Sequence, residues 1–181
     1  MTGQLLVAMP ATADPRFSRS VILVCSHSAE GAMGLVVNRA LDTVSFPNLM
    51  KDLGVEASGK GFLPLVNFGG PVESGRGFVL HTADLLTEGS LRIDHDLALT
   101  TTLDILHRIA AGTGPKKSLF ALGYAGWGPG QLEAEIVANG WLNVPADPDL
   151  VFDTNLETKW DRAVAQLGIG GSTLSMEAGN A

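Results

Sequence analysis

The sequence predicts one α/β domain of α+β character, a mixed sheet with helices on its outer side. Three observations carry this. The chain has 181 residues, the size of a single domain. Apolar residues make up 45% and charged residues 17%, which suits a packed core and argues against disorder. Short apolar runs come first as hairpins and later alternate with helical patterns. The 22 glycines and 9 prolines fit many short elements joined by turns.

Leu5–Met9 is a continuous apolar run ending at Pro10, as a buried strand would be. "MTGQLLVAMPATA" imitates a secretion signal at Ala11-Thr12-Ala13, but it lacks a basic start and reads as that strand. A polar loop follows with Arg16, Phe17 and Arg19. "VILVCSH" (21–27) and "LVVN" (35–38) form a hairpin across a glycine-containing turn. The next helix spans Ser45 to Leu53, with Ser45 as N-cap, Pro47 in the first turn and Gly54 as stop. Residues 55–64 read as a loop. "LVNF" (65–68) and "GFVLH" (77–81) are strands around "GGPVESGR", and residues 91–101 hold one or two more. A helix from Thr101 turns Leu103, Leu106 and Ala110 inward and stops at Gly112. "SLFALGY" (118–124) is a strand, and Gly126–Gly128 is a tight corner into a helix starting at Pro129. Trp141–Val144 returns as a strand. The last helix runs from Leu156 to Leu167 with a stripe of Leu156, Trp160, Ala163 and Leu167. Residues 170–181 read as a frayed tail of the same domain.

The formal net charge is −7. Residues 84–181 carry the whole excess. That balance disfavours non-specific nucleic-acid binding. The lone Cys25 excludes an internal disulfide and a thiolate zinc site. No apolar run reaches the ~18–20 residues of a membrane span. These features predict a cytoplasmic protein with no membrane partner, no cofactor and no bound metal.

The motifs lack a recognisable catalytic set. "GYAGWGPGQ" (123–131) has neither a Walker ending nor a dinucleotide spacing, although the amides after Gly128 face an anion-friendly helix start. Glu133 opposes an anion there. Cys25 and His27 share a strand face but stand ~6.6 Å apart along it, beyond dyad reach. His27 and His81 end two strands and meet only if the fold brings them together. Arg16, Arg19, Arg39 and Arg76 sit in loops or at strand ends, where they can form a basic rim suited to carboxylate or phosphate.

Three blocks, "LLVAMPATADPRFSRSVILVCSHSAEGAMGLVVNRA" (5–40), "NFGGPVESGRGFVLH" (67–81) and "ALGYAGWGPGQLEAEIVANGWL" (121–142), together resemble the YqgE/AlgH family of bacterial proteins. Ala40 departs from the proline usual after the Asn-Arg pair. Ser26 and Ser28 replace the common Glu and Asn around His27. The resemblance implies a compact domain whose bent or split sheet forms a pseudo-barrel with helices outside. It implies no established reaction, although one branch carries the label of a regulator of alginate transcription.

The leading expectation is a small-ligand-binding or regulatory module without catalysis. Its unknown partner is a small molecule or a protein. The expected pocket draws on Arg16, Phe17, His27, Asn38, Gly69, Gly70, Arg76, His81, Tyr124, Trp127 and Gln131. The alternatives are a hydrolase or transferase using His27, His81 and Arg76, and a transcriptional regulator that acts indirectly.

Overall fold

A computed structural model describes residues 1–12, 14–56 and 64–168 of the chain. The expected tail lies outside these residues, as does most of the 55–64 loop. Nine strands form one curled, mostly antiparallel sheet, a half-barrel: β1 (Gln4–Ala8), β2 (Val21–Ser28), β3 (Gly31–Val36), β4 (Val66–Phe68), β5 (Val72–Thr82), β6 (Leu91–Arg92), β7 (Leu97–Thr100), β8 (Ser118–Trp127) and β9 (Trp141–Pro145). Their order is β6-β7-β5-β8-β3-β2-β1-β9, with β4 added parallel to β8. The helices are α1 (Phe46–Asp52), α2 (Leu103–Ala110), α3 (Gln131–Val137), α4 (Pro148–Val151) and α5 (Lys159–Ala165). The mixed, bent sheet with flanking helices is the predicted architecture.

Both faces of the sheet are buried, which is why β1 and β2 read as unbroken apolar runs rather than alternating ones. Leu5, Val7, Leu23, Leu35, Leu80 and Leu97 point to one face and build a single cluster with Trp160 and Val164 of α5. The other face splits into two clusters. Leu6, Ile22, Trp127 and Trp141 pack under Leu132 of α3. Val79 and Phe120 pack under Phe46 and Met50 of α1 and Ile105 and Ile109 of α2. One shared cluster inside and two outside is the pattern of a curled sheet, whose hollow face gathers side chains from seven of the nine strands.

Several boundaries differ from the sequence reading. Ser45 caps α1 as expected, its hydroxyl accepting from the Asn48 N–H at 3.3 Å. On α2 the inner face is Ile105, Leu106, Ile109 and Ala110, while Leu103 is half exposed; the helix starts at that residue, which turns outward. The single helix expected over 156–167 is a 3-10 turn at Leu156–Thr158 leading into α5, and the short α4 was hidden in "DPDLV". The strand expected to end at Tyr124 continues to Trp127, because Ala125, Gly126 and Trp127 pair with β3. The corner therefore falls at Gly128–Gly130, where Gly130 is the left-handed N-cap of α3 at φ +71°.

Candidate functional site

The cleft that best combines apolar walls with converging polar groups opens at one end of the half-barrel, with a volume of about 710 Å³. Its walls come from several strands: Ser26 and Ser28 of β2, Met33 of β3, Phe78 of β5, Leu91 of β6 and Tyr124 of β8. Clefts of about 460 and 500 Å³ lie at the Lys116–Lys117 turn, where Lys117 pairs with Asp149 at 2.6 Å.

Two glycine motifs cross beneath the cleft. The Gly69-Gly70 step crosses β8 at Gly123-Tyr124 in backbone contact. A Cβ on Gly70 would lie 2.0 Å from the Tyr124 carbonyl carbon, and one on Gly123 would lie 2.3 Å from the Gly70 oxygen. Both also have positive φ, at +156° and +76°. Past this crossing β5 leaves its ladder. Val72 faces Tyr124 and Gly77 faces Leu122, so residues 73–76 bow out opposite Gly123 alone. Glu73 takes φ +47°, uncommon for a residue with a side chain. The bow aims Arg76 back over the Phe78 ring at 5.2 Å, and Phe78 meets Tyr124 edge to face at 5.9 Å. Arg76 also pairs with Glu73 at 3.4 Å. The Glu73 carboxylate at the Tyr124 phenol pushes that pKa above its usual value, with partial burial adding to it.

Of the expected pocket residues, Arg76, Tyr124 and Trp127 line this cleft. The others stand elsewhere. Gly69 and Gly70 form the crossing below it. Arg16 pairs with Asp14 at 2.7 Å in the 10–20 loop. Phe17 packs edge-on against Trp141 at 5.8 Å. Asn38 pins the same loop, accepting from the Val21 N–H and donating to the Arg19 carbonyl, each at 2.9 Å. Gln131 accepts from the Gly128 N–H at 3.0 Å and so tethers the corner.

The two histidines are not brought together. A bulge between Val24 and Ser26 reverses the alternation of β2. Cys25 enters the inner cluster, while His27 pairs with Ala32 of the outer cluster and sets Nε2 2.5 Å from Glu133 of α3. The shared face expected for Cys25 and His27 is thus undone by one extra residue. His81 is fully buried on β5. Its Nδ1–H donates to the Thr82 carbonyl at 2.8 Å, and Nε2 accepts from the Thr100 hydroxyl at 2.7 Å, which Ser90 meets in turn. Burial lowers the His81 pKa, and the neutral ring fits this chain. His27 lies beside the Trp127 end of β8 and His81 beside the Ser118 end, ~30 Å apart along the strand. Arg76 lies near neither imidazole: its guanidinium is on the inner side with Phe78, and His81 is on the outer.

Two polar residues were assigned no role by the sequence reading. Glu135 accepts the indole N–H of both Trp127 and Trp141, each at 2.8 Å, and a Gln131 amide N–H at 3.0 Å. The spacing of Gln131 and Glu135 by one helical turn was the available signal. Lys159 is fully buried and donates to the carbonyls of Val37 and Val151 at 2.8 and 2.7 Å. Nothing in its sequence position marked it. No group of three or more His, Cys, Asp or Glu side chains suited to a metal occurs among the described residues.

Fold and site define a class: single-sheet half-barrel proteins with helices packed on both faces of the sheet and an open cleft at one rim. The chain belongs to the AlgH-like family, whose model matches residues 5–171. It is 52% identical over 181 residues to a UPF0301 protein of Rhodospirillum rubrum, covering 100% of this chain and 94% of that one. A UPF0301 protein of Jannaschia is 54% identical over 183 residues, covering 100% and 95%. Among solved structures, the AlgH protein from Pseudomonas aeruginosa superimposes with a TM-score of 0.78 at 42% identity, covering 99% of this chain and 95% of that one. A protein from Corynebacterium diphtheriae gives 0.65 at 25% identity, covering 81% and 76%.

Proposed function

We propose that the protein is a cytoplasmic small-ligand-binding module whose cleft at the open rim of the half-barrel receives the ligand. One observation carries this reading: a bowed segment of β5, held at an uncommon backbone angle, poises Arg76 over Phe78, beside Tyr124, at the mouth of a cleft of ligand size. A regulatory role would run through this ligand rather than through DNA. The net charge of −7 supports that view. So do the engagements of Arg16 with Asp14, Arg19 with Asp161, Arg39 with the Arg16 and Ser18 carbonyls, and Arg76 with Glu73.

The test is a metabolite screen by thermal shift on the wild type and on Arg76→Ala/Tyr124→Phe. A true ligand at ~100 times its Kd adds about 2.7 kcal/mol. That raises Tm by several degrees, and the double variant should lose most of the rise. Hits that stabilise both proteins equally would place the site elsewhere.

A further inference from the structure

We infer that the ligand of this cleft is a small monocarboxylate with an apolar body, and that the carboxylate of Glu73 is its built-in competitor. The inference rests on the cleft being the binding site proposed above. Three features converge on it. A guanidinium stacked on a ring leaves its N–H edge free to grip a carboxylate in two places, a geometry a lysine cannot offer. In this structure that edge meets Glu73 at 3.4 Å, three residues away on the same bow. The Tyr124 phenol faces the same carboxylate. The protein therefore already shows an acid group in the position where an acid ligand would sit.

That internal contact is suited to exchange. Both partners are 54% exposed and the distance is long, so the pair adds little stability by itself. Residues 72–76 are exposed throughout and carry Gly75, around which a Cβ would meet nothing. The bow can thus swing Glu73 aside without disturbing the core. The rest of the wall is apolar. Val72 and Leu91 are 37% and 51% exposed on the rim, and Met33 and Leu99 lie deeper. These four suit a hydrocarbon or aromatic body. Glu30 also stands on the rim. One arginine against two carboxylates favours a ligand with a single negative charge over a phosphate or a diacid.

Sodium octanoate serves as the probe, titrated into the full chain and followed by amide chemical shifts, with octylamine as control. Octanoate should shift the amides of Phe78, Leu91 and Tyr124. Glu73→Gln, which keeps the shape and removes the charge, should bind about two- to five-fold tighter. Arg76→Met should bind at least about five-fold more weakly. Equal or weaker binding by Glu73→Gln, with the melting temperature unchanged, would overturn the competitor and leave the cleft as a binding site. Octylamine shifting the same amides as strongly, or no octanoate shift in either protein at about 10 mM, would overturn the ligand class. A neutral or cationic hit that depends on Arg76 and Tyr124 in the metabolite screen would do the same while sparing the cleft. Loss of every Arg76-dependent hit in that screen would instead remove the binding site itself.

Discussion

Lys159 shows what one residue can do inside a core. Burial pushes its ammonium from 10.5 down to about 7. The unfolded chain holds that proton up to its ordinary value, so between these limits the unfolded state binds more protons than the folded one. The lysine's contribution to stability therefore rises with pH from about 7 and is flat below it, by up to about 5 kcal/mol in total. Cys25 opposes this higher up. Burial raises its thiol from 9.0 to about 12, so the unfolded chain loses that proton first and stability falls as pH passes 9. Urea melts should climb between pH 7 and 9 and then level off, and Lys159→Met should remove the climb. A flat profile in the wild type would contradict the neutral lysine. The same burial predicts slow reaction of Cys25 with thiol reagents in the folded protein.

Elements carry the glycine question. Among the four glycines of "GYAGWGPG", the sequence reading put the turn at Gly126–Gly128. In the structure they divide. Gly123 sits at φ +76° against the Gly70 oxygen, whereas a Cβ on Gly126 would meet Tyr124 at an ordinary 3.4 Å. Gly123→Ala should cost more than about 2 kcal/mol, and Gly126→Ala should stay within about 1 kcal/mol. Denaturant midpoints of the two variants decide this. Trp127 is 7% exposed, so Trp127→Ala should cost about 3–5 kcal/mol. Glu135→Ala should cost about 2–6 kcal/mol, about 1–3 for each indole N–H left unpaired. Apolar runs and caps made most elements legible: β1, β2, α1 and β9 fall within a few residues of their expected bounds. What stayed hidden was pairing. Only β3 alongside β8 shows that the strand runs on to Trp127, and only the Val24/Ser26 bulge shows that His27 leaves the face of Cys25.

At the scale of the molecule, the curled sheet sets which sequence-distant residues meet. The candidate pocket was legible where it depended on strand ends near the glycine crossing, at Arg76, Tyr124 and Trp127. It was illegible for the histidines, because local pattern says nothing of a ~30 Å offset along a shared strand. Charge is a whole-molecule property as well. At −7, the protein should show no measurable affinity for random duplex DNA at near-physiological salt. Fluorescence anisotropy with a labelled duplex tests it, and tight binding that collapses as salt rises would contradict it. Among the described residues no helix is long and apolar enough to cross a membrane. The paired indoles of Trp127 and Trp141 have one more consequence. They stand edge to face at 6.0 Å, share a single carboxylate, and one of them borders the cleft. Emission from this coupled pair should change when the rim is filled, which gives the chain an optical gauge of occupancy that needs no label.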